Sequence, residues 1–386
     1  MVTVVVSRRA ARRVADGHPW VFSGDVTDRA GATPGDVVRV ADTEGRLLGT
    51  AHYSSTSRIC LRLLDDGRAP IDADFYRRRL AEAAAYRRRV VTDTDAYRLV
   101  HGEGDRLAGL VVDRYGEYLV VQTLSQGMDK ARDTILACLI ELCAPAGVVA
   151  RNDVGVRRHE SLPMEKAVLA GSVPETVPIR MNGLRFHVDL LGGQKTGVFL
   201  DQRENYRVAA GYARGKALDC FTSSGGFALH LASRCDSVEA IDTSQDALRL
   251  AGVNCRDNGI ENVHCRQADA FEFLGGLAAS GRRFATIVLD PPAFAKSRNA
   301  LPAALDAYRE LNFRALRLLE PAGVLTSCSC SQHVSEAQLL ESIAAAALEA
   351  GRTLRVIERR TQARDHSILL TVPETHYLKC LILEVL

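Results

Sequence analysis

Apolar and polar positions follow different patterns along the front and back of this chain. Over residues 1–70, short apolar runs alternate with turn residues, as at Pro34-Gly35-Asp36 before the run 37–40. This spacing predicts a small β-barrel. Residues 75–91 combine helix formers with arginine triplets, which predicts a connector helix. Strand-like runs and one predicted helix (128–142) then indicate a small α+β domain up to about residue 180.

From Lys216 onward, β-branched or apolar runs alternate with amphipathic helical stretches at the spacing of βαβ units. Pro174 and Pro178 mark a boundary before this region. We therefore predict an α/β protein whose C-terminal domain is a doubly wound sheet. The predicted domains are the β-barrel at 1–72, the connector helix and α+β domain at 73–180, and the sheet domain at 181–386.

Composition narrows the class of protein. The chain has 386 residues, of which 47% are hydrophobic and 25% charged, as is usual for soluble globular proteins. It contains neither an apolar run of about 18 residues nor a hydrophobic signal core, so we expect no membrane partner. Ten cysteines without a C-x-x-C pair favour a reducing cytoplasm and argue against a structural metal.

Charge is distributed unevenly. The net charge is +2, but residues 1–90 hold 16 arginines and 11 acidic residues. A basic front end is compatible with a nucleic-acid partner, although such runs are more often solvated faces. Charge by itself therefore leaves both interpretations open.

Four predicted strands of the sheet domain end in or just before an acid. These acids are Asp219, Asp242, Asp269 and Asp290, and successive ones are separated by about one strand plus one helix. Parallel strands present the side chains at their carboxyl ends to the crevice where such sheets bind ligands. The four acids are therefore candidates for one site.

The loop after the first of these acids indicates which ligand is bound. Residues 219–227 (DCFTSSGGF) are mostly small and lead into a helix, so a ligand can approach the backbone closely. Neither phosphate fingerprint, G-x-G-x-x-G or G-x-x-x-x-G-K-[ST], occurs. A cofactor with adenosine but no phosphate fits better, and S-adenosylmethionine is such a cofactor. Asp242 would accept the ribose hydroxyls and Asp269 would meet the adenine amino group, although each acid could instead be a helix N-cap.

This order of acid, small-residue loop, ribose acid, adenine acid and fourth-strand motif resembles the class I methyltransferase fold, a sheet of seven strands. The resemblance covers residues 216–386. It implies that the cofactor contacts include Asp219 together with the loop residues Phe221, Thr222, Gly225 and Gly226.

The fourth strand runs into residues 290–297 (DPPAFAKS). Two successive prolines force an extended turn, which leaves backbone carbonyls free to face a planar base. The segment resembles the D-P-P-aromatic motif of methyltransferases that act on base amino groups. It makes Asp290 and Pro291 candidate cofactor contacts, and it makes Pro292, Phe294 and Lys296 candidate substrate contacts.

The next strand leads to residues 328–336 (CSCSQHVSE), at the same end of the sheet. Methylating C5 of a pyrimidine requires a thiolate that adds to C6, whereas amino methylation requires none. Cys330 with Glu336 six residues later resembles the catalytic segment of RNA cytosine-C5 methyltransferases. We therefore predict Cys330 as the nucleophile, with Asp290 as its catalytic partner and Cys328 as a neighbour or alternate.

A further resemblance extends over the whole chain. Residues 193–203 (GQKTGVFLDQR), 16–22 (DGHPWVF) and 34–38 (PGDVV) resemble segments of large-subunit ribosomal RNA cytosine-C5 methyltransferases with an N-terminal RNA-binding PUA domain. This family implies that Phe199, Gln202 and Arg203 contact the cofactor and that Lys195 contacts RNA. Trp20 could stack on a base, but we interpret it as an apolar plug of the barrel, and we interpret His18 as structural.

The predicted function is methyl transfer from S-adenosylmethionine to C5 of a cytidine in large-subunit ribosomal RNA, through a covalent Cys330 adduct. Lys296 or a helix beginning between residues 331 and 335 would help to ionise the thiol. The first alternative is N-methylation of an RNA purine by the DPPAF site, with Cys330 structural. The second is a non-catalytic RNA-binding protein of ribosome assembly. A homodimer is compatible with the sequence.

Overall fold

The computed structural model describes residues 1–67, 69–193, 198–278, 280–295 and 297–386. The chain divides into two compact units. Unit 1 comprises Met1–Ile179, Val188–Gly197 and Arg364–Thr375, and unit 2 comprises Arg180–His187, Val198–Ala363 and His376–Leu386. The predicted boundary near residue 72 falls inside unit 1 and stays a prediction.

Unit 1 begins with a sheet in which six of the described strands take the order β2-β6-β5-β4-β1-β3. Its elements are β1 (Thr3–Val6), α1 (Arg8–Ala15), β2 (Trp20–Phe22), β3 (Val26–Asp28), β4 (Val37–Asp42), β5 (Leu47–Tyr53) and β6 (Ile59–Asp65). Alternate residues such as Val4 and Val6, or Val38 and Val40, are fully buried and form the core of this sheet. The period of two in the sequence thus turns one face of each strand inward.

A second sheet in unit 1 follows, with the order β11-β10-β9-β8-β7. Its elements are α2 (Ala73–Val90), β7 (Ala96–His101), β8 (Leu110–Tyr115), β9 (Tyr118–Thr123), α3 (Gln126–Lys130), α4 (Arg132–Cys143), β10 (Gly147–Arg151), α5 (Val156–His159) and β11 (Lys166–Gly171). The predicted connector helix matches α2. The single helix predicted at 128–142 is instead two helices, because Ala131, with ψ near 1°, ends α3 and precedes α4.

The sheet of unit 2 has the order β16-β15-β14-β17-β18-β20-β19. Its elements are α6 (Arg203–Tyr212), β14 (Lys216–Cys220), α7 (Gly226–Ala232), β15 (Ser237–Asp242), α8 (Gln245–Asp257), β16 (Val263–Gln267), α9 (Ala270–Leu277), β17 (Phe284–Leu289), α10 (Leu301–Leu318), β18 (Leu319–Ser329), α11 (Glu336–Glu349), β19 (Leu354–Arg360) and β20 (Lys379–Val385). A hairpin of β12 (Val177–Met181) and β13 (Leu184–Val188) precedes them.

Strands β14 to β18 run parallel to one another, and β20 pairs antiparallel with both β18 and β19. The direction of winding reverses between β14 and β17, which is where such sheets bind ligands. The predicted α/β class with a doubly wound, seven-stranded sheet is confirmed. Over the described residues, no helix is long and apolar enough to cross a membrane.

Candidate active site

The strand order of unit 2 brings the four predicted acids to one edge of the sheet. Strands β16, β15, β14 and β17 are consecutive neighbours. Asp242 is the last residue of β15, Asp290 follows β17 directly, Asp219 lies one residue before the end of β14, and Asp269 comes two residues after β16. All four therefore lie at the carboxyl ends of adjacent parallel strands, as predicted.

Asp219 is fully buried. Its Oδ2 accepts hydrogen bonds from Thr222 Oγ1 at 2.6 Å and from the Ala228 backbone N–H at 2.9 Å. Its Oδ1 is buried and has no hydrogen-bond partner among the described residues. Burial raises the pKa of Asp219 to about 8, against the opposing effect of the Thr222 hydrogen bond. The site thus holds a buried acceptor oxygen that a bound donor could satisfy.

Three residues of the loop that follows β14 have a left-handed backbone conformation. Phe221, Ser223 and Gly225 have φ values of 65°, 51° and 91°. Gly226, the first residue of α7, lies against the Tyr206 ring, where a Cβ would come within 2.5 Å of the ring Cζ. Glycine at position 226 therefore has a structural cause, which is the Tyr206 ring packed against it. The close approach of a ligand to this loop stays a prediction.

Tyr206 is a residue that sequence reasoning missed. It is buried on α6, and its hydroxyl donates to the Phe199 carbonyl at 3.2 Å. Its ring meets Phe227 edge to face, with centroids 4.7 Å apart. The sequence signal that could have revealed Tyr206 is its place on the apolar face of α6, because a tyrosine buried there needs a hydrogen-bond partner for its hydroxyl.

Asp242 connects the loop to the end of β15. Its Oδ2 accepts from the Ser223 N–H and its Oδ1 from the Ser244 N–H, both at 2.9 Å. Ser244, and not Asp242, caps α8. Asp269 is exposed and is the N-cap of α9, where it accepts from the Glu272 N–H at 3.0 Å. The helix-cap interpretation therefore describes Asp269 but not Asp242.

The predicted segment before the sheet contributes buried polar groups. Gln202 is 2% exposed, and its Nε2 donates to Asp290 Oδ1 at 3.0 Å. Its Oε1 accepts from Asn205 Nδ2 at 2.7 Å, which fixes the orientation of the amide. Arg203 is buried at the start of α6, and Phe199 is half-buried. Gln202 is thus linked directly to the fourth-strand acid.

The segment after β17 is tied to the end of β18 through one hydroxyl. Ser331 Oγ accepts from the Ala295 N–H at 3.2 Å and lies 3.1 Å from the Tyr308 hydroxyl. Pro291 is buried and Pro292 exposed, and the half-buried Phe294 ring packs on Tyr308 with centroids 4.8 Å apart. Lys195 and Lys296, both predicted to contact substrate, lie outside the described residues.

The two cysteines at the end of β18 differ in exposure. Cys328 is fully buried and lies directly opposite Cys380 of β20, and burial raises its pKa well above the usual thiol value. Cys330 is half-buried, and its Sγ lies 3.9 Å from the Pro291 carbonyl oxygen. The thiol of Cys330 is therefore beside the DPPAF segment. The helix expected near it, α11, begins at Glu336 with Ser335 as its N-cap.

Lys379 is a second residue that the sequence did not reveal. It is 3% exposed, and its Nζ donates to the carbonyls of Ser331 at 2.7 Å and Tyr377 at 2.8 Å. Burial lowers its pKa to about 8. The sequence signal that could have revealed Lys379 is that it is a single lysine in the apolar run 378–383. Burying a charge there costs solvation free energy, so such a lysine is expected to have a role.

In unit 1, the two residues interpreted as structural have side-chain partners. Trp20 Nε1 donates to Glu103 Oε1 at 2.9 Å, and His18 Nε2 lies 3.1 Å from Glu374 Oε2. Among the described residues, no group of three or more histidines, cysteines or acids could hold a metal ion.

Comparison with known proteins decides the family. A PUA-like domain matches residues 4–66, and an S-adenosylmethionine-dependent methyltransferase family matches residues 97–372. The chain belongs to the S-adenosylmethionine-dependent methyltransferase family. It is 36% identical to ribosomal RNA large subunit methyltransferase I of Klebsiella pneumoniae, over 97% of this chain and 96% of that protein. The protein of the same name from Shewanella denitrificans is 38% identical, over 95% of each chain.

The fold of this methyltransferase is also that of a solved structure. A candidate methyltransferase complexed with SAH has a TM-score of 0.87 at 20% identity, with 100% of each chain covered. The cofactor of the present methyltransferase is S-adenosylmethionine. Its site fits that cofactor, because the orphaned Asp219 Oδ1 can accept an ammonium or hydroxyl donor.

Proposed function

We propose that this methyltransferase transfers a methyl group to C5 of a cytidine in large-subunit ribosomal RNA through a covalent cysteine adduct. The relatives at 36% and 38% identity carry the name ribosomal RNA large subunit methyltransferase I, which supports the RNA substrate. The cytosine-C5 chemistry rests on one observation. The half-buried Cys330 thiol lies 3.9 Å from the Pro291 carbonyl, directly beside the segment that follows Asp290.

S-adenosylmethionine, when bound, supplies an electrophilic methyl group on sulfonium. Asp219 would accept its ammonium, and the backbone from Phe221 to Gly226, with Thr222 and Gly225, would line its amino-acid portion. Asp242 keeps lone pairs for the ribose hydroxyls after accepting two backbone N–H groups. Asp269 would meet the adenine amino group. The remaining contacts proposed are Phe199, Gln202, Arg203, Asp290 and Pro291.

The base would enter beside the proline segment after it is flipped out of the RNA. Asp290, held in place by the Gln202 amide, would bind the N3/N4 edge of cytosine. Pro292 is exposed beside it, and Phe294 would support the base from the core side. Lys195 and Lys296 are proposed as RNA contacts from their positions in the sequence.

The reaction would proceed by addition and elimination. Cys330 Sγ adds to C6 and makes C5 electron-rich, and C5 then takes the methyl group. The C5 proton leaves to water or a base, and the Sγ–C6 bond breaks to restore the aromatic ring and the thiolate. The protein thus ends in the state in which it began.

The first test is product analysis. Unmodified large-subunit RNA would be incubated with the protein and methyl-labelled S-adenosylmethionine, then digested to nucleosides for mass spectrometry. We expect labelled 5-methylcytidine from the unaltered protein and from a Cys265→Ala control, since Cys265 lies on β16 and is exposed. Cys330→Ala should lose transfer by at least about a thousandfold. Full activity of Cys330→Ala would contradict the covalent scheme.

A second test looks for the adduct. RNA that contains 5-fluorocytidine at the target cannot lose a proton from C5, so elimination is blocked and the protein should remain attached to it. The attachment should disappear in Cys330→Ala. A labelled methylpurine in the first test would instead support N-methylation by the DPPAF segment. Failure to bind the cofactor or to label any nucleoside would favour a non-catalytic RNA-binding role.

A further inference from the structure

Lys379, the buried lysine at the start of β20, lies beside the two residues that flank Cys330 in the chain. Lys379 is directly opposite Ser329 in the β18–β20 register, and its Nζ donates to the Ser331 carbonyl at 2.7 Å. Its side chain thus starts beside the residue before Cys330 and ends on the residue after it. Cys330 and Glu336 both act electrostatically on Lys379 in favour of its charged form.

We propose that the Lys379 ammonium stabilises the Cys330 thiolate and thereby activates the nucleophile. This inference rests on the proposed function, in which Cys330 is the attacking group. Lys379 acts through Cys330 and is therefore a positioning residue. Because electrostatic interaction is mutual, a thiolate that favours the charged lysine is favoured by that lysine to the same extent.

Four other titratable groups in this part of unit 2 act differently from Lys379. Asp290 and Glu336 are acids, so each opposes a thiolate. Tyr308 interacts electrostatically with Cys330, and burial raises its pKa above the usual phenol value. Arg359 of β19 forms an ion pair with Glu336, so the guanidinium of Arg359 is engaged by that carboxylate. Lys379 is thus a buried cation that interacts electrostatically with Cys330.

The burial of Lys379 itself argues for a role. An ammonium removed from water carries a large solvation cost, and two carbonyl acceptors offset part of it. A leucine or methionine would fill the same place in the apolar run without that cost. Buried charges of this kind, next to a nucleophile, are characteristic of functional sites.

The test measures the reactivity of the Cys330 thiol directly, without methyl transfer. The full chain would be treated with iodoacetamide at pH 6 to 10, and alkylation of each cysteine would be followed by peptide mass spectrometry. For each cysteine, the pH at which the alkylation rate is half-maximal is its midpoint. In Lys379→Gln, which keeps an N–H donor but loses the charge, the Cys330 midpoint should rise by about one pH unit. The rate at pH 7 should fall about tenfold. Cys265, in the same sample, should be unaffected.

Lys379→Arg restores the charge and should bring the Cys330 midpoint back to within about 0.3 pH units of the unaltered protein. An unchanged midpoint in Lys379→Gln would overturn the proposal. Should that variant not fold, the unaltered protein still decides, because a Cys330 midpoint at or above about 8.5 would contradict activation. The two failures are distinguishable. Full activity of Cys330→Ala would remove the covalent scheme, whereas an unchanged Cys330 midpoint in Lys379→Gln would overturn the role of Lys379.

Discussion

At the scale of single residues, three polar groups of the site are almost completely buried. Asp219, Gln202 and Lys379 are each less than 4% exposed. Asp219 accepts a hydrogen bond from Thr222, Gln202 donates one to Asp290, and Lys379 donates one to the Ser331 carbonyl. Buried polar groups are costly unless they are paired. Their presence together at the carboxyl edge of the sheet indicates that the site is preorganised for a polar ligand.

The raised pKa of Asp219 gives a prediction for stability against pH. Its pKa rises from 3.8 to about 8 on folding because of burial, so between these values the native protein holds a proton that the unfolded chain has lost. The free energy of unfolding should therefore fall, relative to Asp219→Asn, as pH rises from about 4 to about 8, and level off above that.

Urea unfolding of both proteins at several pH values measures this difference. Curves that stay parallel from pH 4 to 9 would contradict the shift. Addition of SAH, whose ammonium can pair with the carboxylate, should reduce the difference between the two proteins near pH 8.

At the scale of elements, the start of α7 and one aromatic ring constrain the loop that follows β14. Gly226 begins α7 directly against Tyr206 of α6. The sequence predicted a loop of small residues that a ligand could approach closely. The need for glycine at position 226 comes instead from a ring on α6, the helix that precedes β14. The sequence likewise predicted one helix at 128–142, because the backbone change at Ala131 leaves no mark on the apolar periodicity.

Gly226→Ala should therefore destabilise the protein by about 1–3 kcal/mol, because the new methyl group overlaps the Tyr206 ring. It should also weaken SAH binding, measured by calorimetry, at least about tenfold, since the loop must shift.

Gly276→Ala is the matched control. Gly276 lies in α9, and nothing lies within 4 Å of the position of an added Cβ. That variant should keep SAH affinity and gain up to about 1 kcal/mol, as alanine favours a helix over glycine. Equal behaviour of the two variants would show that the ring does not constrain the loop.

At the scale of whole units, a buried ion pair joins the two sheets of unit 1. Arg62 of β6 contacts Glu160 at 2.8 Å, and both side chains are less than 7% exposed. Glu160 also accepts from the Ser54 hydroxyl at 2.6 Å and from the Gln126 N–H at 3.1 Å. The six-stranded sheet and the second sheet are therefore linked through one carboxylate.

Glu160→Ala leaves Arg62 buried without its partner and should lower the free energy of unfolding by about 3–5 kcal/mol. Replacing both residues, as Arg62→Met with Glu160→Leu, should recover most of that loss. The exposed Arg8–Glu44 pair, with side chains 83% and 71% exposed, is the control. Glu44→Ala should change stability by about 0–1 kcal/mol. A similar loss in both single variants, measured by denaturant unfolding, would contradict the argument.

The sequence by itself determined the α/β class, the run of acids and the choice of cofactor. These depend on local patterns, namely hydrophobic periodicity and motifs that each occupy a few consecutive residues. It could not decide between Cys328 and Cys330 by burial, nor could it find Tyr206 or Lys379. Those depend on which strands become neighbours and in what register. Lys379 lies opposite Ser329, the residue before Cys330, because β20 pairs antiparallel with β18 across about 50 residues of chain, and no local pattern specifies that pairing.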